Sequence, residues 1–206
     1  MSSASLQLGG DNWAAKDGNL LGYQRSSSSS VHIPHEFTFT RGSNLAATRV
    51  AANGLIEKGR ENLLLRSNEL DGGSWAKDDV TLTSGQSGYD GSTDAFLMKQ
   101  NTNASRHHLR QSISFSGVGT FSVYAKEKEL QYLQIASAQT TSEYANFDLS
   151  DGSVGNVGSK FIDAKATSVG GGWYRLSVVT TSGANAIYLS LITSKTAAWL
   201  ESYTGA

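Results

Sequence analysis

The 206-residue chain is long enough for one sandwich-sized core with an N-terminal extension, and too short for two full sandwiches. Its 22 glycines and single proline, with 38% hydrophobic and 9% aromatic residues, are the composition of strands joined by tight turns rather than of a helical bundle. A formal net charge of −1 without a Lys/Arg stripe speaks against nucleic acid, zero cysteines exclude disulfides and thiolate metal sites, and no apolar run reaches the ~18 residues that cross a bilayer.

In chain order, residues 1–36 differ in character from the rest. There is no basic n-region followed by an apolar h-region, so no conventional export signal and no membrane partner are expected. Gly9-Gly10-Asp11-Asn12 and a turn at Gly18-Asn19 precede a serine run, Ser26 to Ser30, which cannot bury apolar area and reads as a flexible or extended linker. Trp13, Leu20, Leu21 and Tyr23 are too few to build a core. A disordered tail fits this stretch, and so does a docking arm that orders only against another protein, with those four residues as its anchor.

Residues 37–61 read as a β-hairpin segment, with Asn53-Gly54 between two short alternating runs as a type I′ turn. A helical stripe through Leu45, Ala46, Val50, Leu55 and Ile56 is the weaker reading, because Gly54 in its middle costs about 1 kcal/mol relative to Ala.

From residue 62 to 206 the pattern is repeatedly of period two. In the run Thr120 to Lys126, Phe121, Val123 and Ala125 share one face while Ser122, Tyr124 and Lys126 share the other. Strands are expected at Val80 to Thr83, Ala95 to Lys99, His108 to Phe115, Thr120 to Lys126, Tyr132 to Ala136, Tyr144 to Leu149, Lys160 to Ala164, Trp173 to Thr180 and Ala186 to Ile192. Gly117-Val118-Gly119 is expected as a hairpin turn between Phe115 and Phe121, and Asp151-Gly152 as a second tight turn with a short return through Val154. Strands at this spacing imply an all-β fold, two antiparallel sheets packed face to face.

Chemistry is sparse. A sugar site stacks an aromatic plate on the apolar face of a ring and binds the hydroxyls with amides and carboxylates. Trp75, Tyr89, Trp173, Tyr174 and Trp199 are the candidate plates. Trp75 stands in a loop with Asp71, Asp78 and Asp79 nearby, and together with Tyr89 it is the carbohydrate-binding candidate. An aromatic that enters a strand after a glycine turn, as Trp173 does, more often closes the end of a core. The acidic pairs Asp78/Asp79 and Asp90/Asp94 read as turn chemistry rather than as a glycosidase pair or a calcium loop. His107 and His108 are adjacent, so a strand would point them to opposite faces, and no metal site is expected from them or from His32 and His35. No Gly-x-Ser-x-Gly elbow, Walker loop or dinucleotide fingerprint occurs, and neither a catalytic residue nor a cofactor is expected.

Several motifs recur in a recognisable order: Phe39-Thr40-Arg41-Gly42-Ser43, Asn53-Gly54-Leu55-Ile56, Asn62-Leu63-Leu64-Leu65, Ser74-Trp75-Ala76-Lys77, Phe121-Ser122-Val123-Tyr124, Asn146-Phe147-Asp148-Leu149 and Gly170-Gly171-Gly172-Trp173-Tyr174-Arg175. In that order, from about Phe37 to Tyr203, the chain resembles the lectin-like jelly-roll domains, concanavalin- or carbohydrate-binding-module-like, of virion proteins of tailed bacteriophages. The resemblance implies a jelly-roll sandwich behind an extended N-terminal arm. It further implies a non-enzymatic head-fibre, capsid-decoration or tail-appendage role on the outer surface of the virion. The partners it implies are other capsid or tail proteins, further copies of the chain, trimers included, and in some members host-surface glycans. Related domains continue past a segment like Ser202-Tyr203-Thr204-Gly205 into a last strand. A sheet edge left open there is expected to be covered by a neighbouring subunit.

Overall fold

The structure is a computed structural model that describes residues 62–138 and 140–206 in full, Gly54, and only the backbone of the strands that precede Asn62. The chain divides into two units, Met1–Glu61 and Asn62–Ala206. No helix occurs among the described residues, and every strand pairing is antiparallel.

In the first unit, β1 (Ala15–Lys16), β2 (Asn19–Arg25) and β3 (His32–Glu36) form a three-stranded sheet. The stretch expected as an extended arm therefore pairs with itself: Lys16 lies opposite Asn19 and Arg25 opposite His32. Leu20, Leu21 and Tyr23 lie on β2, while Trp13 and the serine run fall outside the described residues. The expected hairpin is present as β4 (Thr48–Val50) and β5 (Ile56–Lys58), with Gly54 at φ +80° between them. Val50 lies opposite Ile56, and Asn53 of the expected type I′ turn lies outside the described residues.

The second unit is an antiparallel β-sandwich of jelly-roll type. One sheet holds six strands in the order β14 (Val154–Val157), β13 (Tyr144–Asp148), β12 (Tyr132–Ser137), β17 (Ala184–Ile192), β10 (His107–Phe115) and β6 (Ala76–Asp78). The other holds β11 (Gly119–Lys126), β16 (Trp173–Thr180) and β15 (Phe161–Gly170), with the hairpin of β7 (Val80–Gln86) and β8 (Ala95–Gln100) adding to the core. A short ladder pairs β18 (Tyr203–Thr204) with β9 (Ala104–Ser105), so the segment Ser202 to Gly205 is tied to the body of the unit.

Alternation sorts the side chains between the two faces of each sheet. From the six-stranded sheet, Leu109, Leu133, Ile135, Ala145, Phe147, Leu189 and Leu191 point inward and meet Phe161, Leu176 and Val178 of the facing sheet. Phe147 is the largest fully buried side chain, and its burial contributes about 1.5–3 kcal/mol. Phe121, Val123 and Ala125 share the inner face of β11 as their spacing requires. The turn Gly170-Gly171-Gly172 has φ of +93°, +60° and +79°, a run of left-handed backbone that only glycine adopts at low cost, and it reverses the chain from β15 into β16.

Two sequence expectations are corrected here. Gly117, at φ +84°, does not join a hairpin: β10 pairs with β17 and β6 while β11 pairs with β16, so the turn carries the chain from one sheet to the other. Trp173 does not close the core either. On β16 the inward positions are Tyr174, Leu176 and Val178, so Tyr174 packs on the core and Trp173 takes the opposite face, half-buried.

Candidate functional site

The outward face of the six-stranded sheet carries a cross-strand row of polar side chains. Register places Asp78 of β6 opposite His108 of β10, His108 opposite Ser190 of β17, Ser190 opposite Gln134 of β12, and Gln134 opposite Asn146 of β13. Directly opposed residues on neighbouring strands share a face, so these five form one transverse line. The alternation that fills the core with Leu109, Ile135 and Leu189 also builds this row one residue out of phase.

One half of the row is covered. The segment after β17 folds back over Gln134 and Asn146, which are fully buried. Asn146 Nδ2 donates to the carbonyls of Lys195 (3.1 Å) and Ala197 (2.8 Å). Gln134 Nε2 donates to Asn146 Oδ1 (2.7 Å) and Ala198 O (3.0 Å), and Gln134 Oε1 accepts the Leu200 amide (2.7 Å). The Glu201 carboxylate closes the base of this loop by accepting the Thr193 amide (2.8 Å) and hydroxyl. Buried amides need partners, and here side chains and loop backbone supply one another.

The other half is open. A groove of about 310 Å³ is lined by Asp78, Asp79, Ser105, Arg106, His108, Arg110, Tyr188 and Leu200. Its basic side chains come from β10 and the residue before it, since Arg106, His108 and Arg110 alternate and thus share a face. His108 Nε2 lies 3.0 Å from Asp78 Oδ2, while Nδ1 is buried and has no partner among the described residues. Burial lowers the His108 pKa from 6.5; the Asp78 carboxylate opposes the shift, and Arg110 and Arg106 add to it. Tyr188 packs edge-on against both His108 (5.0 Å) and Trp199 (6.5 Å), and the Arg106 guanidinium sits 5.2 Å from the centre of the Trp199 ring.

Asp79 sits at the rim, in a left-handed conformation (φ +52°) where the chain leaves β6 and enters β7. Its carboxylate accepts from Asn101 Nδ2 (2.8 Å) and Asn103 Nδ2 (2.5 Å), and these bonds with one from Ser105 hold its pKa at about 2. A carboxyl so acidic is ionised at neutral pH and has no proton to give a leaving group. The opposite orientation expected for the two histidines is present: His107 contacts the carbonyls of Asp79 (2.9 Å) and Tyr203 (3.2 Å) and packs on the Tyr203 ring, away from His108.

The two sequence-selected sugar plates fall elsewhere. Trp75 is a correction: only 3% exposed, it is part of the core cluster, and its indole N–H donates to the Arg66 carbonyl (3.3 Å). It offers no face to a ligand. The segment before it is held by Gln111, which exchanges two hydrogen bonds with the Leu65 backbone (2.7 and 2.9 Å), so the Asn62-to-Leu65 motif is a structural clasp. Tyr89 is 45% exposed and stacked on Tyr124 with ring centres 3.8 Å apart and planes 8° from parallel. Asp90, Ser92 and Asp94 beside it bond one another and the loop backbone, as turn residues do. Among the described residues no group of three or more His, Asp or Glu converges on a metal position.

Sequence reading named Trp199 but missed Arg106 and Arg110. The pattern Arg106-x-His108-x-Arg110 across the expected strand start carried the signal, because period two puts all three on one face. Comparison of the chain with models of known protein families finds no match, and comparison with curated proteins finds none.

Proposed function

We propose that this chain is a non-enzymatic structural component of a tailed-phage virion, a capsid decoration, head fibre or short tail appendage. It is held to other virion proteins through its N-terminal arm, residues 1–36, and displays the sandwich outward. Two features support the reading: the motif order from Phe39 to Arg175, and the division of the chain into an N-terminal unit and a sandwich. The division carries it, because a displayed module needs one part to dock and another to present. Assembly as a homo-oligomer, a trimer among the options, belongs to the same proposal.

Side-chain density of purified particles tests it. The expected result is symmetric copies of the chain on the outer surface, with residues 1–36 against another virion protein. Absence of the chain from purified particles would refute it.

A second reading has its own observation. The groove between Asp78 and Tyr188 has the mixture of charged, hydroxyl and aromatic groups that saccharide sites use, which favours adsorption to host polysaccharide. Host-cell binding by particles, lost when the groove is altered while particle assembly is retained, is its test.

A further inference from the structure

The groove has an excess of unused hydrogen-bond donors of one charge. Of its carboxylates, Asp79 is bonded by Asn101 and Asn103, and Asp78 faces His108 with one oxygen, Oδ2. Its two guanidinium groups are not so occupied. Arg106 rests on the Trp199 ring, and Arg110 makes a long ion pair, Nε to Asp78 Oδ2 at 4.0 Å, that is beyond hydrogen-bond reach. Neither has a hydrogen-bond acceptor among the described residues. Lying two strand positions either side of His108, they present two planar donor forks to one cavity.

The remaining lining matches a hydroxylated ring. Tyr188 offers a hydroxyl, and the contacts of Asp78 with His108 and Arg110 are made by Oδ2, which leaves Oδ1 to a ligand. Beneath, the polar row continues into Ser190 and Gln134, which are buried and bonded, so the floor is rigid. The covering loop is tied at its base by Glu201 and brings Leu200 to the groove wall.

We propose that this groove binds an acidic saccharide, with Arg106 and Arg110 gripping the oxyanion of the sugar and Asp78 accepting from its ring hydroxyls. The inference rests on the second reading above and names the ligand class it would take. Charge-assisted guanidinium bonds are the strong contacts in such a site, and hydroxyl contacts add orientation.

Titration calorimetry of the full chain tests it with three probes at equal concentration: trigalacturonate, a sulfated disaccharide and neutral maltotriose. Binding of either acidic probe, weakened about tenfold or more in Arg106→Gln and in Arg110→Gln and falling with added salt, is the expected result. The two acidic probes separate a carboxylate from a sulfate ester as the source of the charge. Maltotriose bound as tightly as the acidic probes, and unaffected by the arginine variants, would overturn the acidic class while leaving adsorption through the groove standing. Binding of none of the three would overturn this inference; particles that still lose host-cell binding when the groove is altered would show the adsorption reading surviving it. Unchanged thermal melting of both variants shows that any loss is local.

Discussion

The covered and open halves of one polar row differ in what their side chains are bonded to. Gln134 and Asn146 spend their hydrogen-bonding capacity on loop backbone and on each other. Asp78, His108 and Arg110, on the same face of the same sheet, are bonded less completely and line a cavity. Strand alternation builds such a row on any sheet with one buried face. Whether it holds the fold or meets a ligand depends on where the chain returns to cover it. In this sandwich the return from Thr193 to Glu201 is bonded to Gln134 and Asn146 and brings Leu200 to the edge of the groove.

The largest expected effect lies in the covered half. Gln134→Leu keeps approximate volume but leaves the Leu200 amide, the Ala198 carbonyl and Asn146 Oδ1 without their partner. Orphaned buried groups cost about 1–3 kcal/mol each, and partial relaxation of the loop gives an expected loss of about 3 kcal/mol in urea unfolding. The Leu200 amide should also lose protection from hydrogen exchange. A loss below about 1 kcal/mol would mean that Ala197 and Leu200 hold the loop by apolar contact alone, and that the two halves differ less than their bonding implies.

Next in size is the base of the loop. Glu201→Ala removes the acceptor of the Thr193 amide and hydroxyl without touching the sheet. These bonds are partly exposed, so the expected cost is about 1 kcal/mol. The variant sharpens the comparison through the groove: if the Leu200 wall depends on this tie, acidic-probe affinity falls with stability although Glu201 does not line the cavity. Unchanged affinity would assign wall rigidity to the Gln134 bonds instead.

Much of this fold was legible in the sequence, and the exceptions share a cause. Trp173 to Thr180 was bounded as observed, and Thr120 to Lys126 within one residue, because their alternation is strict and their turns are marked by glycine. Ala76–Asp78 was not read as a strand, since all three residues are exposed and no hydrophobic period marks an edge strand of this kind. Gly117 looked like a hairpin because local sequence does not encode which sheet a strand joins. Trp75 looked like a ligand plate because its neighbours are acidic and glycine-rich, yet its burial is decided by Leu64, Leu70 and the distant Gln111 clasp. The groove was missed for the same reason: its residues come from β6, β10, β17 and the return loop, and only their cross-strand register brings them together.

The smallest expected effect is a pH dependence confined to the open half. His108 is 7% exposed, and burial outweighs the attraction of Asp78, so its folded pKa lies below the ordinary 6.5, with Arg110 and Arg106 acting in the same direction as burial. A histidine whose pKa is lower in the folded state binds fewer protons there than in the unfolded chain. Its contribution is therefore constant above about pH 6.5, is lost progressively as pH falls from there to the folded value, and levels off below it. Gln134 and Asn146 do not titrate, so these two amides add nothing to this slope. Unfolding free energies of the wild type and of His108→Gln, measured between about pH 7.5 and pH 5, should converge on acidification if the wild type starts the more stable, and the difference should continue in the same direction otherwise. In Asp78→Asn the slope should steepen, because the one group that favours the charged imidazole is gone. A wild type that gains on His108→Gln as pH falls through 6.5 would reverse the sign: Asp78 would then outweigh burial, and the groove would hold a charged imidazole between its two arginines.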